Sequence, residues 1–294
     1  LASDFLLRPD GNVSPDNQGG WTESSWTNLR RVNYMLDNMH RCRGRVSDEV
    51  YNHYEGVARF WRAWFYYDKV RTFGAVPWYD FTISASDKEA LTKPRDSREY
   101  VMDKVLEDLT FASTYCLADA KYTKGSALIN KWVALAFKSR VCLYEGTFRK
   151  YHGIADETID GVTISADYFL QLAADAAWAI MEQNKYSLYK GNTLKLDAPY
   201  REYFILEDGD AKETILSMRF NADILVRHGI QFTFRNMRHS ATQRLVNHYL
   251  MADGSKIQDQ PGYETMTYNQ QFQNRDPRMA QTLMAPGYVD LNGI

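Results

Sequence analysis

Residues 54–80 read YEGVARFWRAWFYYDKVRTFGAVPWYD, ten aromatic side chains in twenty-seven positions, after which Gly74 and Pro77 break the pattern. Tyr54, Val57, Ala58, Trp61, Phe65, Asp68 and Lys69 step by three and four, and Phe60, Ala63, Trp64, Tyr67 and Val70 fill the neighbouring stripe, which is the spacing of an α-helix. Apolar character therefore runs round much of the helix. Such a helix is usually sandwiched between others, so these aromatics read as core rather than as a binding face. Gly74 can take the left-handed position that ends a helix and Pro77 cannot continue one, so the helix is predicted over about 48–73.

Working outward, Trp26, Leu29, Asn33, Leu36 and Met39 predict a helix over about 25–39, with Ser24 or Ser25 able to accept an orphan N–H at its start. Asp96 or Ser97 caps a third helix carrying Val101, Val105, Leu109 and Ala112 on one stripe. A fourth starts near Ser126 and ends near Gly146, and a fifth starts after Ser165 with Phe169, Leu172, Ala173, Ala176 and Ile180 inward. Small Ala residues on the last two let partner helices come close. The expected class is mainly α, a tetratricopeptide-like scaffold of helical pairs over 24–190. The helix starts do not keep the regular repeat of about 34 residues. From 191 to 294 the pattern becomes irregular and loop-rich: 213–220, ETILSMRF, alternates weakly like a short strand, a short helix is expected at 242–251, and 8–23 reads as an ordered loop.

Length and composition bound the function. The 294 residues can bury a sizeable core, aromatics are high at 14%, and a formal net charge of -2 supplies no electrostatic attraction for nucleic acid. Cys42, Cys116 and Cys142 form neither a CxxC pair nor an even set, so neither zinc nor a disulfide framework is signalled. No apolar run reaches the length of a membrane span, and the chain opens LASDFLL without a Met or a basic leader, so it is either cytosolic or a piece whose leader is gone.

No phosphate-cradling, dinucleotide, zinc-protease or nucleophile-elbow motif occurs. His239 and His248 are the only close histidines and read as ordinary side chains. Asp10, Asn12, Ser14 and Asp16 resemble half of a calcium loop, but Pro15 stands where Gly is needed and no closing Glu follows, so an Asx-rich turn is the better reading. Asp208 and Asp210 lie in an EDGD turn that reads as a solvated loop rather than an acid pair. No catalytic residue, metal or cofactor is assigned. Sugar recognition needs flat aromatic faces with polar edges, and two loops have that makeup: Asn17, Gln18 and Trp21, and Gln231, Phe232, Phe234, Arg235 and Asn236. From these, Asn17, Trp21, Phe232, Phe234, Arg235 and Asn236 are the candidate ligand contacts. Trp21 is equally placed to act as a hydrophobic staple before the first helix.

EGVARFWRAWFYYDKVRTFGAVPWYD resembles the hallmark segment of the SusD/RagB family, through Glu55, Arg59, Phe60, Arg62, Ala63, Tyr66 or Tyr67, Val70, Phe73, Gly74, Val76 and Pro77. WTNLRRVNYMLDN (26–38), KWVALAFKSRVCLYEG (131–146), ATQRLVNHYLMADG (241–254) and NRDPRMAQTLMAPG (274–287) are similar to further family segments in the same order. The departures are Tyr54-Glu55-Gly56-Val57, where the family more often shows G-E-A, and Asp68-Lys69, where an apolar residue is commoner. Family members are longer and begin with a lipidated Cys, whereas no Cys precedes Cys42 here, so 1–294 is expected to be one SusD-like domain incomplete at both ends. The resemblance implies a lipid-anchored protein on the surface of the outer membrane. It would capture oligosaccharide without turnover and partner a SusC-like TonB-dependent transporter, with 191–294 as an irregular ligand-side lobe. It carries over no ligand residue, because those lie outside the shared motifs. Three alternatives stay open: a peptide-binding member of the family, an α-helical glycoside hydrolase or polysaccharide lyase, and an intracellular tetratricopeptide adaptor.

Overall fold

The computed structural model describes residues 20–123, 127–191, 198–206, 209–218, 220, 229, 241–284 and 286–287. They fall into two units, one drawn from the chain up to 124 together with 128–184, the other from 125–127 and 185 onward.

Among the described residues, the first unit is built around five helices of twelve residues or more. A short 3-10 turn, Glu23–Trp26, leads into α1, Thr27–Asn38. Helix α2, Asp48–Phe73, has Ser47 at its N-cap accepting the Val50 N–H at 3.3 Å, and it stops at Gly74 as expected, although with φ 69° and ψ -115° this glycine takes a positive-φ conformation other than the left-handed helical one. Helix α3, Arg98–Tyr115, is capped by Ser97. Helix α4, Lys131–His152, differs from its expected bounds. Its cap is Asn130, whose Oδ1 accepts from Trp132 and Val133, not Ser126. It also runs through Gly146 to a stop at Gly153, φ 62°. Helix α5, Ala166–Met181, begins after Ser165 as predicted.

Successive helices pack α1 on α2, α2 on α3, α3 on α4 and α4 on α5, the helical-pair scaffold expected. At Gly146 α4 and α5 approach closely, since a Cβ there would lie 2.7 Å from Leu170 Cγ and 2.9 Å from the Ala166 carbonyl. Gly56 plays the same part between α2 and α3, facing Cys116 Sγ and Ala112. Phe60, Ala63, Tyr67 and Val70 of α2 are buried and Trp64 is half-buried, so the core reading holds for most of that stripe; Tyr66 is buried beside it, while Tyr54 and Trp61 stay exposed.

The scaffold also contains buried charge. Glu145 on α4, fully buried, accepts from both guanidinium nitrogens of Arg98 on α3 at 2.9 and 2.6 Å and from Arg149 Nε at 2.7 Å. Arg62 on α2 forms a two-pronged pair with Asp108 on α3 at 2.7 and 2.8 Å. Breaking one member of such a pair strands a buried charge and typically costs about 3–5 kcal/mol, so these pairs lock the helix register.

The strand expected at 213–220 does not form among the described residues; turns and bends occupy the stretch. The two strands lie instead between α4 and α5, β1 Glu157–Ile159 and β2 Val162–Ile164, antiparallel. Their connection is Asp160-Gly161, with φ of 50° and 81°, the positive pair a two-residue hairpin turn demands.

In the second unit, α6 (Pro199–Ile205) packs on α8 (Pro277–Thr282), and Gln281 Oε1 accepts the N–H groups of Tyr200 and Arg201 at 3.0 and 3.2 Å. Between them lies α7, Gln243–His248, capped by Thr242. Arg275 of the NRDPR stretch donates to the carbonyls of Gln271, Val246 and Tyr249 at 2.6–2.8 Å, tying α7 to the chain that follows it. No helix among the described residues is long and apolar enough to cross a membrane.

Candidate ligand-binding groove

The stop at Gly74 turns the chain back along α1, and the returning segment is held by side chains the helices supply. Buried Tyr66 accepts the Tyr79 N–H at 2.6 Å, and burial pushes its phenol pKa far up, so it stays a neutral bridge. From α1, Asn33 donates to the carbonyls of Tyr79 and Phe81 at 2.9 and 3.0 Å, and Arg30 donates to Ile83 O at 2.8 Å. Lys93 closes the far end on Trp78 O at 3.1 Å and Asp96 at 2.6 Å. Between α1 and this segment lies a groove of about 640 Å³.

Its surface is aromatic with polar edges. Trp21, Trp26, Tyr79 and Phe81 line it beside Arg30, Ser84 and Lys93, and Phe81 is 44% exposed. Among the described residues none that lines it is a carboxylate. Asn33 belongs to the frame, because both its donated bonds point at backbone and its remaining oxygen is shut away from solvent without a partner.

Trp21 stands at the rim, half-buried. It meets Trp26 edge-on at 5.4 Å and Phe73 at 4.9 Å, and the Arg95 guanidinium lies 4.8 Å over its ring. With Thr22 capping the turn and donating its N–H to Ser25 Oγ at 3.1 Å, Trp21 and Trp26 stand at the two positions of a hydrophobic staple. The staple reading is therefore realised, and the same ring still borders the groove. Asn17, Gln18, Gln231, Phe232, Phe234, Arg235 and Asn236 lie outside the described residues, as do the calcium-like Asp10–Asp16 stretch, Asp208 and His239. Asp210 accepts the N–H groups of Lys212 and Glu213, an ordinary turn, and His248 is exposed.

Sequence reasoning missed Tyr79, Phe81, Arg30 and Lys93. The available signal was Pro77, which sends an aromatic-rich stretch back along the helices instead of onward. A second cavity, about 440 Å³, gathers charge: Glu55, Asp80, Glu107 and Asp108 face Arg43, Arg59, Arg62 and Lys104. Most of that charge is paired internally, Arg59 with Glu55 at 2.7 Å, Arg62 with Asp108 and Lys104 with Glu107 at 2.8 Å. Among the described residues no cluster of three or more His, Cys, Asp or Glu could hold a metal ion.

Residues 13–143 match the SusD-like family model described as starch-binding, associating with outer membrane, and residues 234–293 match the SusD family model. SusD-like protein P2 of Formosa agariphila is 28% identical over 167 residues, 56% of this chain and 32% of that protein. A SusD-like protein of Bacteroides fragilis superposes with a TM-score of 0.61 at 22% identity, covering 86% of this chain and 46% of its own. A SusD-like carbohydrate binding protein of the same species also reaches 0.61, at 17% identity, over 88% of this chain and 45% of its own. These two structures share the fold. The chain spans about a third of the curated relative's length and under half of each solved one.

Proposed function

The chain belongs to the SusD/RagB family, and from that premise we propose that it binds an oligosaccharide or polysaccharide at the cell surface and delivers it, uncleaved, to a SusC-like TonB-dependent transporter. Lipid anchoring to the outer membrane is part of the proposal. The observation that carries it is the groove beside α1, where aromatic rings and unacidic polar edges lie on a frame fixed by Asn33, Arg30 and Tyr66. Apolar faces of a sugar ring stack on aromatics while its hydroxyls bond to polar groups at the edge. The family's description as starch-binding and the printed name of the second Bacteroides fragilis structure point the same way. Phe232, Phe234, Arg235, Asn236 and Asn17 remain proposed contacts beside Trp21.

Affinity electrophoresis against a panel of soluble polysaccharides and peptides tests this. Retardation by one glycan is expected, and Trp21→Ala should weaken it by about fivefold or more, since a stacked aromatic contributes about 1 kcal/mol. Retardation by peptide alone would favour the peptide-binding reading, and an unchanged Trp21→Ala would remove Trp21 from the site.

A further inference from the structure

Lys69 lies about one turn from the end of α2 with only 6% of its surface exposed. Its ammonium makes no ion pair with a carboxylate among the described residues; the adjacent Asp68 pairs with Arg71 at 3.6 Å instead. A charge in that position is costly unless other groups replace water. Here they come from the segment that carries Trp21. Lys69 Nζ donates to Gly20 O and to Ser25 Oγ, the latter at 3.2 Å, and sits 5.0, 5.1 and 5.7 Å from the ring centres of Trp26, Phe65 and Phe73. Trp26 and Phe73 are also the two rings against which Trp21 packs.

We infer that Lys69 is a positioning residue: its ammonium latches the Gly20–Trp26 segment onto α2 and so fixes Trp21 at the rim of the groove. The consequence for binding rests on the glycan reading of that groove. An apolar side chain of similar length would fill the space and keep the helix, yet it would leave the Gly20 carbonyl to the Ser25 hydroxyl, which donates to it at 2.7 Å, and give the aromatic cage nothing to surround. The segment would then be held by ring contacts, the staple with the Trp21–Phe73 and Arg95–Trp21 pairs, and no longer by hydrogen bonds from Lys69 on α2.

Hydrogen exchange of the backbone amides at 20–26, read beside glycan affinity, tests the latch. Lys69→Met should speed exchange there by about tenfold while α2 keeps its protection, Lys69→Arg should restore much of the protection, and glycan affinity should fall toward that of Trp21→Ala. Unchanged exchange in Lys69→Met overturns the inference. Faster exchange with glycan affinity unchanged in both Lys69→Met and Trp21→Ala leaves the latch standing and removes Trp21 from the glycan site. If Lys69→Met does not fold, Lys69→Gln, which removes the charge and shortens the reach to Gly20 O and Ser25 Oγ, supplies the same readout: faster exchange supports the latch and unchanged exchange overturns it.

Discussion

At the scale of single residues, the side chains that matter most to the frame are polar ones inside an aromatic core. Asp103 on α3 shows how finely they are balanced. Burial pushes its carboxyl pKa from 3.8 up to about 6, against the pull of Arg149 at 3.6 Å. A carboxyl whose pKa is raised by folding binds its proton more tightly in the folded state. The stability it contributes is thus full below about pH 4 and is lost as the pH rises through about 6. Asp103→Asn should therefore melt progressively higher relative to the wild type as the pH is raised from 4 to 7. Melting curves of both proteins across that range check this, and a difference that shrank instead would mean that the Arg149 pairing outweighs burial. The sequence could not reveal this residue, because its environment is assembled from α3 and α4. Trp21 was legible in type and place but not in role, since a staple and a sugar platform ask for the same ring beside the same helix.

At the scale of elements, local chemistry was legible and long-range packing was not. The Ser47, Ser97 and Ser165 caps and the Gly74 stop set helix bounds from within a few residues, and α2 and α5 lie where they were expected. Helix α4 was misread at both ends: Ser126 was taken as its start in place of the Asn130 cap, and Gly146 was taken as punctuation, whereas it is a contact point. Adding a methyl group at Gly146 would press on Leu170 and on the Ala166 carbonyl. Overpacking of this kind costs about 1–3 kcal/mol, which exceeds the gain of about 1 kcal/mol from a better helix former. Gly146→Ala should then lower the midpoint of urea unfolding, and an unchanged or higher midpoint would show that α5 can shift away. The hairpin at 157–164 was within reach too, since Asp160-Gly161 between β-branched residues is a strong local turn signal. The weaker alternation at 213–220 drew the strand there instead.

At the scale of the whole molecule, the aromatic density of 54–81 has two uses. One stripe of α2 closes the helical core through Phe60, Tyr66 and Tyr67, and the residues after Gly74 carry Tyr79 and Phe81 into the groove wall. The family was legible because its motifs are these scaffold elements; the ligand surface was not, because it depends on where loops are brought by helices distant in sequence. The central claim is capture without cleavage. The most direct measurement is a calorimetric titration with oligosaccharides of the glycan that retards the protein, followed by sizing of the recovered sugar from the same cell. The account predicts saturable binding with every input chain recovered at its original length. Shortened products, or no binding to any glycan, would contradict it.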